Sequence, residues 1–474
     1  MKKLNFKIIY IIVILNILFS CSEDFIDLNP ISNPSIKSFY QKQSDFEVAI
    51  VGTYNAWGDI HSLLWTWYTE LRGDTYTAYQ GDQYEISENK FSENVTAEMW
   101  DAQYRIITYS NVILDRIDNI EPFDETVKSR IKAEARFFRA EAYFALVRFF
   151  GAVPLIEHEI TSLDDLKIGR TDVTTIYNFI IDDYKFAVNN LPTEVSASDY
   201  GRLSKYSAEG ELARVYITLS GKVYNQNRWA DAKPLLEDIL YNSPYTFTES
   251  YEEIFARDGS GEKGEEIILS AIFKAEEGEN TMYQTQMMGK YGTLSLYLEE
   301  GVMNSYEDGD IRKDINVAPD FTRITDGIYV DMPTNVKFDY LYDIGSGFSG
   351  MDFPILRYTD VMLLYAETLA EIDNNVPTQS IEILNQVRNR AGLVSLTMEN
   401  VPNINAFRMF MENERRSELM FECVRWFDLV RTGRAIEVLR ALGKDADETW
   451  LLFPIPEQEI AKVGSDILPQ NPGY

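Results

Sequence analysis

The chain has 474 residues, of which 45% are hydrophobic, and a formal net charge of −31 at pH 7. This length allows one to three domains with a large core, and the negative charge excludes nucleic acid as a partner, since binding phosphates requires cations. With two histidines and two cysteines, the sequence disfavours a histidine-based triad, a metal site and a disulfide framework, and we expect no cofactor.

The N-terminus has the pattern of a bacterial lipoprotein signal. Lys2 and Lys3 precede an apolar stretch over 8–19, which is too short to span a bilayer but typical of a signal peptide. It ends in Leu18-Phe19-Ser20-Cys21. Cleavage before Cys21 would leave a lipid-modified N-terminal cysteine, and two or more acyl chains hold a protein stably on a membrane. We therefore predict a signal peptide over 1–20 and a lipid-anchored body over 21–474.

Helical periodicity dominates the body and predicts an all-α fold with minor β structure. The predicted helices cover 44–57, 96–120, 125–150, 171–190, 206–220, 229–241, 358–372, 380–391 and 405–418. Within 131–150, two polar stripes lie on nearly opposite sides, which indicates a helix layered between others. The pairs 206–241 and 358–391 have about the 34-residue length of a tetratricopeptide repeat. A strand-like run covers 267–273.

Two long excursions interrupt the helices, over 57–94 and 259–350, and loops of this length are usually functional. The first mixes aromatic and polar side chains, as ligand sites do. Its candidate ligand-binding residues are Trp65, Trp67, Arg72, Asp74, Tyr76, Tyr79, Gln83 and Tyr84. The two tryptophans also fit a buried segment, whereas we expect the tyrosines 76, 79 and 84 to be exposed. The second excursion offers Tyr283, Tyr291 and Tyr297 as the facing wall.

Three carboxylates follow one another at helical spacing: Glu414, Glu418 and Glu422. Their predicted separation of about 6 Å is close to that of a retaining glycosidase, which allows a hydrolase that uses Glu418 and Glu422. Arg415, Arg416 and other arginines are interleaved with them, however. Nearby arginine lowers a carboxyl pKa, whereas a general acid needs a raised one. We therefore predict a structural ion-pair network and no catalytic residue.

Five stretches, in order along the chain, resemble the SusD/RagB family of outer-membrane nutrient-binding lipoproteins. They are Cys21 with Asp24, Phe25 and Asp27; EARFFRA at 134–140 with RFFGAVPL at 148–155; RYTDVMLLYAE at 357–367; ERRSELMFE at 414–422 with RWFDLVR at 425–431; and FPIP at 453–456 with QNPGY at 470–474. One departure is Cys423, which stands where the family usually has glycine.

The resemblance implies a fold of tetratricopeptide-like pairs with irregular excursions that build the ligand site. It also implies an N-terminal SusD-like half over 22–245 and a C-terminal half over 246–474. The protein would sit on the outer face of the outer membrane, bind an oligosaccharide or polysaccharide without hydrolysing it, and pass it to a SusC-like TonB-dependent barrel. Some relatives serve peptide uptake. The alternative is therefore that this chain is the peptide-binding subunit of a RagAB-like uptake system.

Overall fold

The computed structural model describes residues 39–92, 95–162, 167–276, 280–292, 296–343 and 347–474. The predicted signal peptide and the lipid-anchor residue Cys21 lie outside the described residues. The predicted division into halves at residue 245 falls between two helices and stays a prediction.

Helices make up most of the described chain. In order they are α1 Gln43–Asp59, α2 Trp65–Glu70, α3 Gly81–Glu88, α4 Ala97–Arg116, α5 Glu125–Phe150, α6 Val173–Asn190, α7 Lys205–Ser220, α8 Trp229–Asn242, α9 Tyr251–Ile254, α10 Tyr283–Met287, α11 Arg312–Asn316, α12 Tyr358–Ile372, α13 Thr378–Arg390, α14 Ile404–Glu418, α15 Arg425–Thr432, α16 Ala435–Ala441 and α17 Glu457–Val463. A π-helical turn, Ile60–Leu64, joins α1 to α2. The nine predicted helices are confirmed.

The strands are short and pair two by two. They are β1 Tyr76–Ala78, β2 Ile267–Ala271, β3 Leu296–Leu298, β4 Val317–Ala318, β5 Phe321–Thr322, β6 Tyr329–Val330, β7 Thr334–Asn335, β8 Tyr342–Asp343, β9 Phe348–Ser349 and β10 Phe353–Arg357. Within the described segments they form five antiparallel pairs, β1–β3, β2–β10, β4–β7, β5–β6 and β8–β9. The minor β content of the predicted fold is confirmed, and the strand expected over 267–273 is β2.

Helix α5 lies at the centre of the N-terminal part. The Asp124 side chain caps its first turn by accepting from the backbone N–H groups of Thr126 and Val127, and it ends at Gly151, whose φ of +72° suits glycine. Most residues between Ile131 and Phe150 are buried because α5 packs against α1, α4 and α6. The predicted layered helix is confirmed.

Two helical pairs continue the stack. Helices α7 and α8 pack together, as do α12 and α13, and α8 packs on α12 to join the pairs. Helix α7 also approaches β10 so closely that a Cβ at Gly210 would lie 2.1 Å from Leu356 Cδ2. The predicted all-helical architecture of tetratricopeptide-like pairs is confirmed.

The first excursion contains more helix than its composition suggests. Ile60, Leu64, Tyr68 and Leu71 recur at intervals of four, four and three residues and lie on the buried side of the π turn and α2, apart from the half-buried Leu64. The richness of the segment in tryptophan and glycine obscures this helical period. None of the described helices is long and apolar enough to cross a membrane.

Candidate functional site

Strands β1 and β3 bring the two excursions together. Tyr76 pairs with Leu298, Thr77 with Tyr297, and Ala78 with Leu296. Since side chains alternate between the faces of a strand, Tyr76, Ala78, Leu296 and Leu298 point inward and are buried. The other face presents Thr77 and Tyr297. The sequence-based expectation that the two excursions form facing walls therefore has a structural basis in this ladder.

The exposed face of the ladder carries a pair of tyrosine rings. Tyr79, the residue after β1, is 68% exposed, and its ring centroid lies 4.7 Å from that of Tyr297 at an interplanar angle of 71°. This edge-to-face arrangement is a favoured geometry for aromatic pairs. An exposed ring held by a second ring offers a flat apolar surface to solvent, and we refer to Tyr79 and Tyr297 as the tyrosine platform.

Polar and apolar groups border the platform. Gln80 is exposed and Gln83 half-buried at the start of α3, and the half-buried Thr77 lies directly across the ladder from Tyr297. Met332 and Pro333 line a shallow cleft together with Tyr297. The surroundings of the platform therefore include amide and hydroxyl groups as well as apolar side chains.

The β5–β6 hairpin flanks the platform with another exposed ring. Phe321 faces inward and pairs with Val330, while Thr322 pairs with Tyr329. Tyr329 is 60% exposed because it lies on the outer face of the hairpin. Neither Tyr329 nor Met332 was identified from the sequence. The alternation Leu296-Tyr297-Leu298 would have singled out Tyr297 as the outward residue of its strand.

Tyr76 occupies a different place from the one predicted. The sequence predicts an exposed ligand contact, but Tyr76 is 1% exposed, and its hydroxyl donates to the backbone carbonyl of Met287 at 3.1 Å. Its ring packs against Phe421. The prediction of exposure is wrong because residue 76 lies on the inward side of β1, so Tyr76 anchors the ladder from below.

Arg72 is likewise a core residue and not a surface ligand contact. Its guanidinium donates to the carbonyl of Ile86 at 3.1 Å, to Asn89 Oδ1 at 2.9 Å and to the carbonyl of Trp450. Four aromatic rings surround it, with centroids at 4.9–5.7 Å: Phe453, Trp426, Trp450 and Phe91. Burial lowers the pKa of Arg72 to about 10. The side chain ties the first excursion to the C-terminal segment.

Asp74 is engaged in an internal ion pair. Its carboxylate accepts from Arg425 Nε and Nη2 at 2.9 and 3.0 Å, and Arg416 lies at 3.1 Å. Burial opposes ionisation, but the two arginines outweigh it and hold the pKa of Asp74 below its ordinary value. The placement predicted for Asp74, on the rim of a ligand site, is corrected to a structural one.

Two of the three tyrosines predicted for the second wall are also internal. Tyr283 is fully buried and donates to the carbonyl of Phe421 at 3.2 Å while accepting from Asn335. Tyr291 is buried and donates to the carboxylate of Asp339. Both hydroxyls already have partners, so Tyr297 is the tyrosine of this excursion that reaches the platform.

The remaining candidates, Trp65, Trp67 and Tyr84, are half-buried. Trp65 is half-buried against Phe149 and Phe427, and Trp67 is half-buried against the core, in keeping with the buried alternative. Tyr84 is half-buried on α3, and its hydroxyl accepts from Lys90 Nζ at 3.2 Å. Of the eleven candidate ligand contacts, the structure leaves Tyr79, Gln83 and Tyr297 at the platform.

The row of glutamates forms the centre of a buried ion-pair network. Glu418 is fully buried and contacts Arg390 at 2.7 Å, Arg357 at 3.0 Å and Arg312 at 3.1 Å. Burial would raise the pKa of Glu418, but these arginines outweigh it and hold the pKa well below its ordinary range. A general acid needs a raised pKa, so the lowered pKa of Glu418 does not suit that role.

The geometry of the third glutamate differs from the prediction. Helix α14 ends at Glu418, so Glu422 does not continue the helical row. The backbone turns through positive φ at Phe421 and Cys423, 69° and 63°, and this turn directs Glu422 onto Lys337 at 2.6 Å and Arg357 at 2.7 Å. Arg357 therefore bridges Glu418 and Glu422 and locks both carboxylates in the core.

A larger cleft lies elsewhere. It has a volume of about 660 Å³ and is bordered by α14, α15 and the loop between α7 and α8. Its aromatic members, Trp229 and Phe407, are buried, and most of its cations pair with carboxylates, as Arg408 does with Glu371 at 2.6 Å. The cleft is large enough for a ligand but presents no exposed ring. Among the described residues no cluster of three or more His, Cys, Asp or Glu side chains could hold a metal ion.

Two family models match the chain one after the other. The model described as "Starch-binding associating with outer membrane" matches residues 24–217, and the model of the SusD family matches residues 245–474. The chain belongs to the SusD-like family. The SusD-like protein P38 of Formosa agariphila is 27% identical to it, over 93% of this chain and 94% of that protein.

Solved structures share the fold of this SusD-like chain. A SusD superfamily protein from Parabacteroides distasonis superposes with a TM-score of 0.78 at 26% identity, covering 90% of this chain and 99% of that one. A laminarin-binding SusD-like protein superposes with a TM-score of 0.79 at 22% identity, covering 92% and 100%. The resemblance drawn from the five sequence stretches is confirmed.

Proposed function

We propose that this SusD-like protein is a non-catalytic cell-surface receptor that binds an oligosaccharide or polysaccharide on the tyrosine platform. The observation that carries the proposal is the exposed ring of Tyr79, held edge-on by Tyr297. A sugar ring has an apolar C–H face and a rim of hydroxyls. The platform offers a flat surface for the face, while Thr77, Gln80 and Gln83 offer hydroxyl and amide groups for the rim.

The rigidity of the platform favours binding. A tyrosine side chain loses little conformational entropy when a ligand immobilises it, and the β1–β3 ladder fixes the backbone beneath both rings. The description of one matching family model as starch-binding, and the laminarin-binding protein of the same fold, support a glycan as the ligand.

The proposal extends to the membrane and to a partner. A lipid on Cys21 would hold the body at the outer membrane, and a SusC-like TonB-dependent barrel would receive the glycan. The signal pattern around Cys21 and the family resemblance support these two steps. Replacing Cys21 by alanine should release the protein from the membrane fraction, and a tagged chain should co-purify with a barrel of this class from its native host.

The test of the platform is binding of the full-length protein in detergent to a broad panel of polysaccharides by calorimetry, with reducing-sugar release assayed in the same tubes. Tyr79→Ala and Tyr297→Ala should each weaken binding at least tenfold, which corresponds to about 1.4 kcal/mol and to the ordinary effect of removing an aromatic anchor. Tyr241→Ala is the matched control, because Tyr241 is 64% exposed on α8.

Each outcome separates the alternatives. Binding that survives both platform variants would refute the site, and release of reducing sugars would refute the non-catalytic role and revive a hydrolase. Binding to a peptide library, with no glycan bound, would favour the RagAB-like peptide-binding alternative.

A further inference from the structure

The segments that build the platform and its flank carry an uneven charge. Residues 76–84, 296–300 and 320–334 together contain six carboxylates and one cation. The cation, Arg323, is used within its own turn, where its Nε donates to Asp326 at 3.0 Å. Glu299 also has a partner, because Lys444 lies 3.8 Å away.

Four carboxylates remain exposed without a cation. Asp82, Glu300, Asp320 and Asp331 are exposed, and the described part of the chain places no lysine, arginine or histidine nitrogen within 4 Å of them. Asp82 and Glu300 are each three residues from a platform tyrosine, a chain distance of at most about 10 Å. Asp331 precedes Met332, which shares the shallow cleft with Tyr297.

The negative charge of the β5–β6 hairpin affects the pKa of Tyr329. The pKa of its hydroxyl is raised, first by partial desolvation and then by the carboxylates of Asp320 and Asp331. Along the chain, the exposed lysine closest to Tyr79 is Lys90, which follows α3. Its Nζ donates to the hydroxyl of Tyr84. The charges that a ligand meets on the platform side are therefore mainly negative.

We infer that the tyrosine platform selects an uncharged glycan and rejects polysaccharides that carry sulfate esters or uronic acids. This inference rests on the proposed function and names its substrate class. A site that recognises sulfate or carboxylate groups presents arginine or lysine for charge-assisted hydrogen bonds. Here Arg323 is already paired with Asp326. The four unpaired carboxylates have the same sign of charge as a sulfated or uronic-acid glycan, and repulsion between like charges discriminates against such a ligand.

The experiment compares glycans of the same backbone with and without sulfate esters. The full-length protein in detergent is titrated with neutral polysaccharides, including laminarin, xylan and dextran, and with the chemically sulfated form of each backbone. For each backbone that binds, the neutral form should bind at least tenfold more tightly. In 0.5 M salt the screening length falls to about 4 Å, so the ratio should decrease.

A charge-neutralised variant tests whether the four carboxylates cause the preference for the neutral glycan. Replacing the four carboxylates together, Asp82→Asn, Glu300→Gln, Asp320→Asn and Asp331→Asn, should raise the affinity for the sulfated form relative to the neutral one. All four positions are exposed, and circular dichroism verifies that the variant is folded. A ratio that does not change in this variant would overturn the inference.

The outcomes also distinguish a failure of this inference from a failure of the proposed function. Equal or tighter binding of the sulfated form, lost in Tyr79→Ala, would overturn the inference and leave the glycan receptor intact. If neither neutral nor charged glycans bind, the proposed function fails and the inference fails with it.

Discussion

At the scale of single residues, the turn after α14 depends on an unusual backbone conformation. Cys423 has a φ of 63°, in the left-handed region that costs a residue with a Cβ about 1–2 kcal/mol. The resemblance to the SusD/RagB family implies glycine at this position. Cys423 is buried, its N–H donates to Glu70 Oε1 at 2.8 Å, and its sulfur lies 3.6 Å from Thr66 Oγ1. The thiol thus fills space where the backbone would favour glycine.

Two variants separate the backbone strain from the packing. Cys423→Ala and Cys423→Gly both remove the thiol, but only glycine relieves the left-handed strain. We expect Cys423→Gly to be more stable than Cys423→Ala by about 1 kcal/mol, measured as the difference in the free energy of unfolding in urea. Equal stabilities, or a more stable alanine variant, would contradict the account of this turn.

A second residue-scale prediction concerns Glu418. Its carboxylate contacts Arg312, Arg357 and Arg390, so Glu418→Gln should remove one ion pair from each of these buried guanidinium groups. Breaking a buried ion pair in this way costs about 3–5 kcal/mol. Glu437→Gln is the control, because Glu437 is a largely exposed partner of Arg434 and a surface pair contributes less than about 1 kcal/mol. Similar losses of unfolding free energy in the two variants would refute the structural role.

At the scale of elements, the β1–β3 ladder holds the platform together. Glu299 donates its N–H to the carbonyl of Thr75 at 2.9 Å. Hydrogen-bonded pairs alternate along an antiparallel ladder, so Thr77 and Tyr297 form the next such pair. Two strands from distant parts of the chain thus place the two platform rings in contact.

Thr77→Pro tests this arrangement. Proline removes the ladder N–H and is excluded from paired strand positions, so the rings should separate and glycan affinity should fall at least as far as in Tyr79→Ala. Far-ultraviolet circular dichroism should remain helical, because β1 lies outside the helical stack. Thr77→Ser, which keeps both the backbone N–H and the hydroxyl, is the control. Full affinity in the proline variant would show that the ladder does not position the site.

Local sequence patterns are sufficient to predict some of these elements but not others. The helices from Glu125 to Phe150 and from Tyr358 to Ile372 follow from their apolar period because their packing is local and regular. The burial of Tyr76 does not follow, since a strand of three residues gives almost no period, and its partner β3 lies more than two hundred residues away. The end of α14 before Glu422 depends on tertiary ion pairs that no local pattern reveals.

At the scale of the whole molecule, long-range polar contacts join distant segments to the C-terminal part of the chain. Arg72 reaches the carbonyl of Trp450, and Arg170 donates to Asn471 Oδ1 at 2.5 Å. Arg72 belongs to an excursion whose composition suggests a surface loop. The sequence predicts the overall architecture, but which charged residues are internal is decided by these distant partners, and the candidate site changes accordingly.

The stability of the molecule should depend on pH in two opposite ways. In the folded chain, burial first and the nearby Glu211 next raise the pKa of Glu141 to about 8, from an ordinary value near 4.5 in the unfolded chain. Between these values the folded state keeps a proton that the unfolded state has released, so stability decreases as pH rises. Glu418 and Asp360 have lowered pKa values, because arginines outweigh their burial, so their contribution is lost as pH falls below about 4.

The melting temperature should therefore be highest near pH 5 and fall towards pH 8. Glu141→Gln removes the titrating proton while its amide oxygen can still accept from Tyr184, the partner of Glu141 Oε1 at 2.5 Å. The decline between pH 5 and 8, followed by differential scanning fluorimetry, should become shallower in this variant. Glu437→Gln removes one exposed charge and should keep the original slope, which separates the buried proton from the general repulsion of a chain with net charge −31. Identical slopes in Glu141→Gln and the unmodified protein would assign the decline to that repulsion.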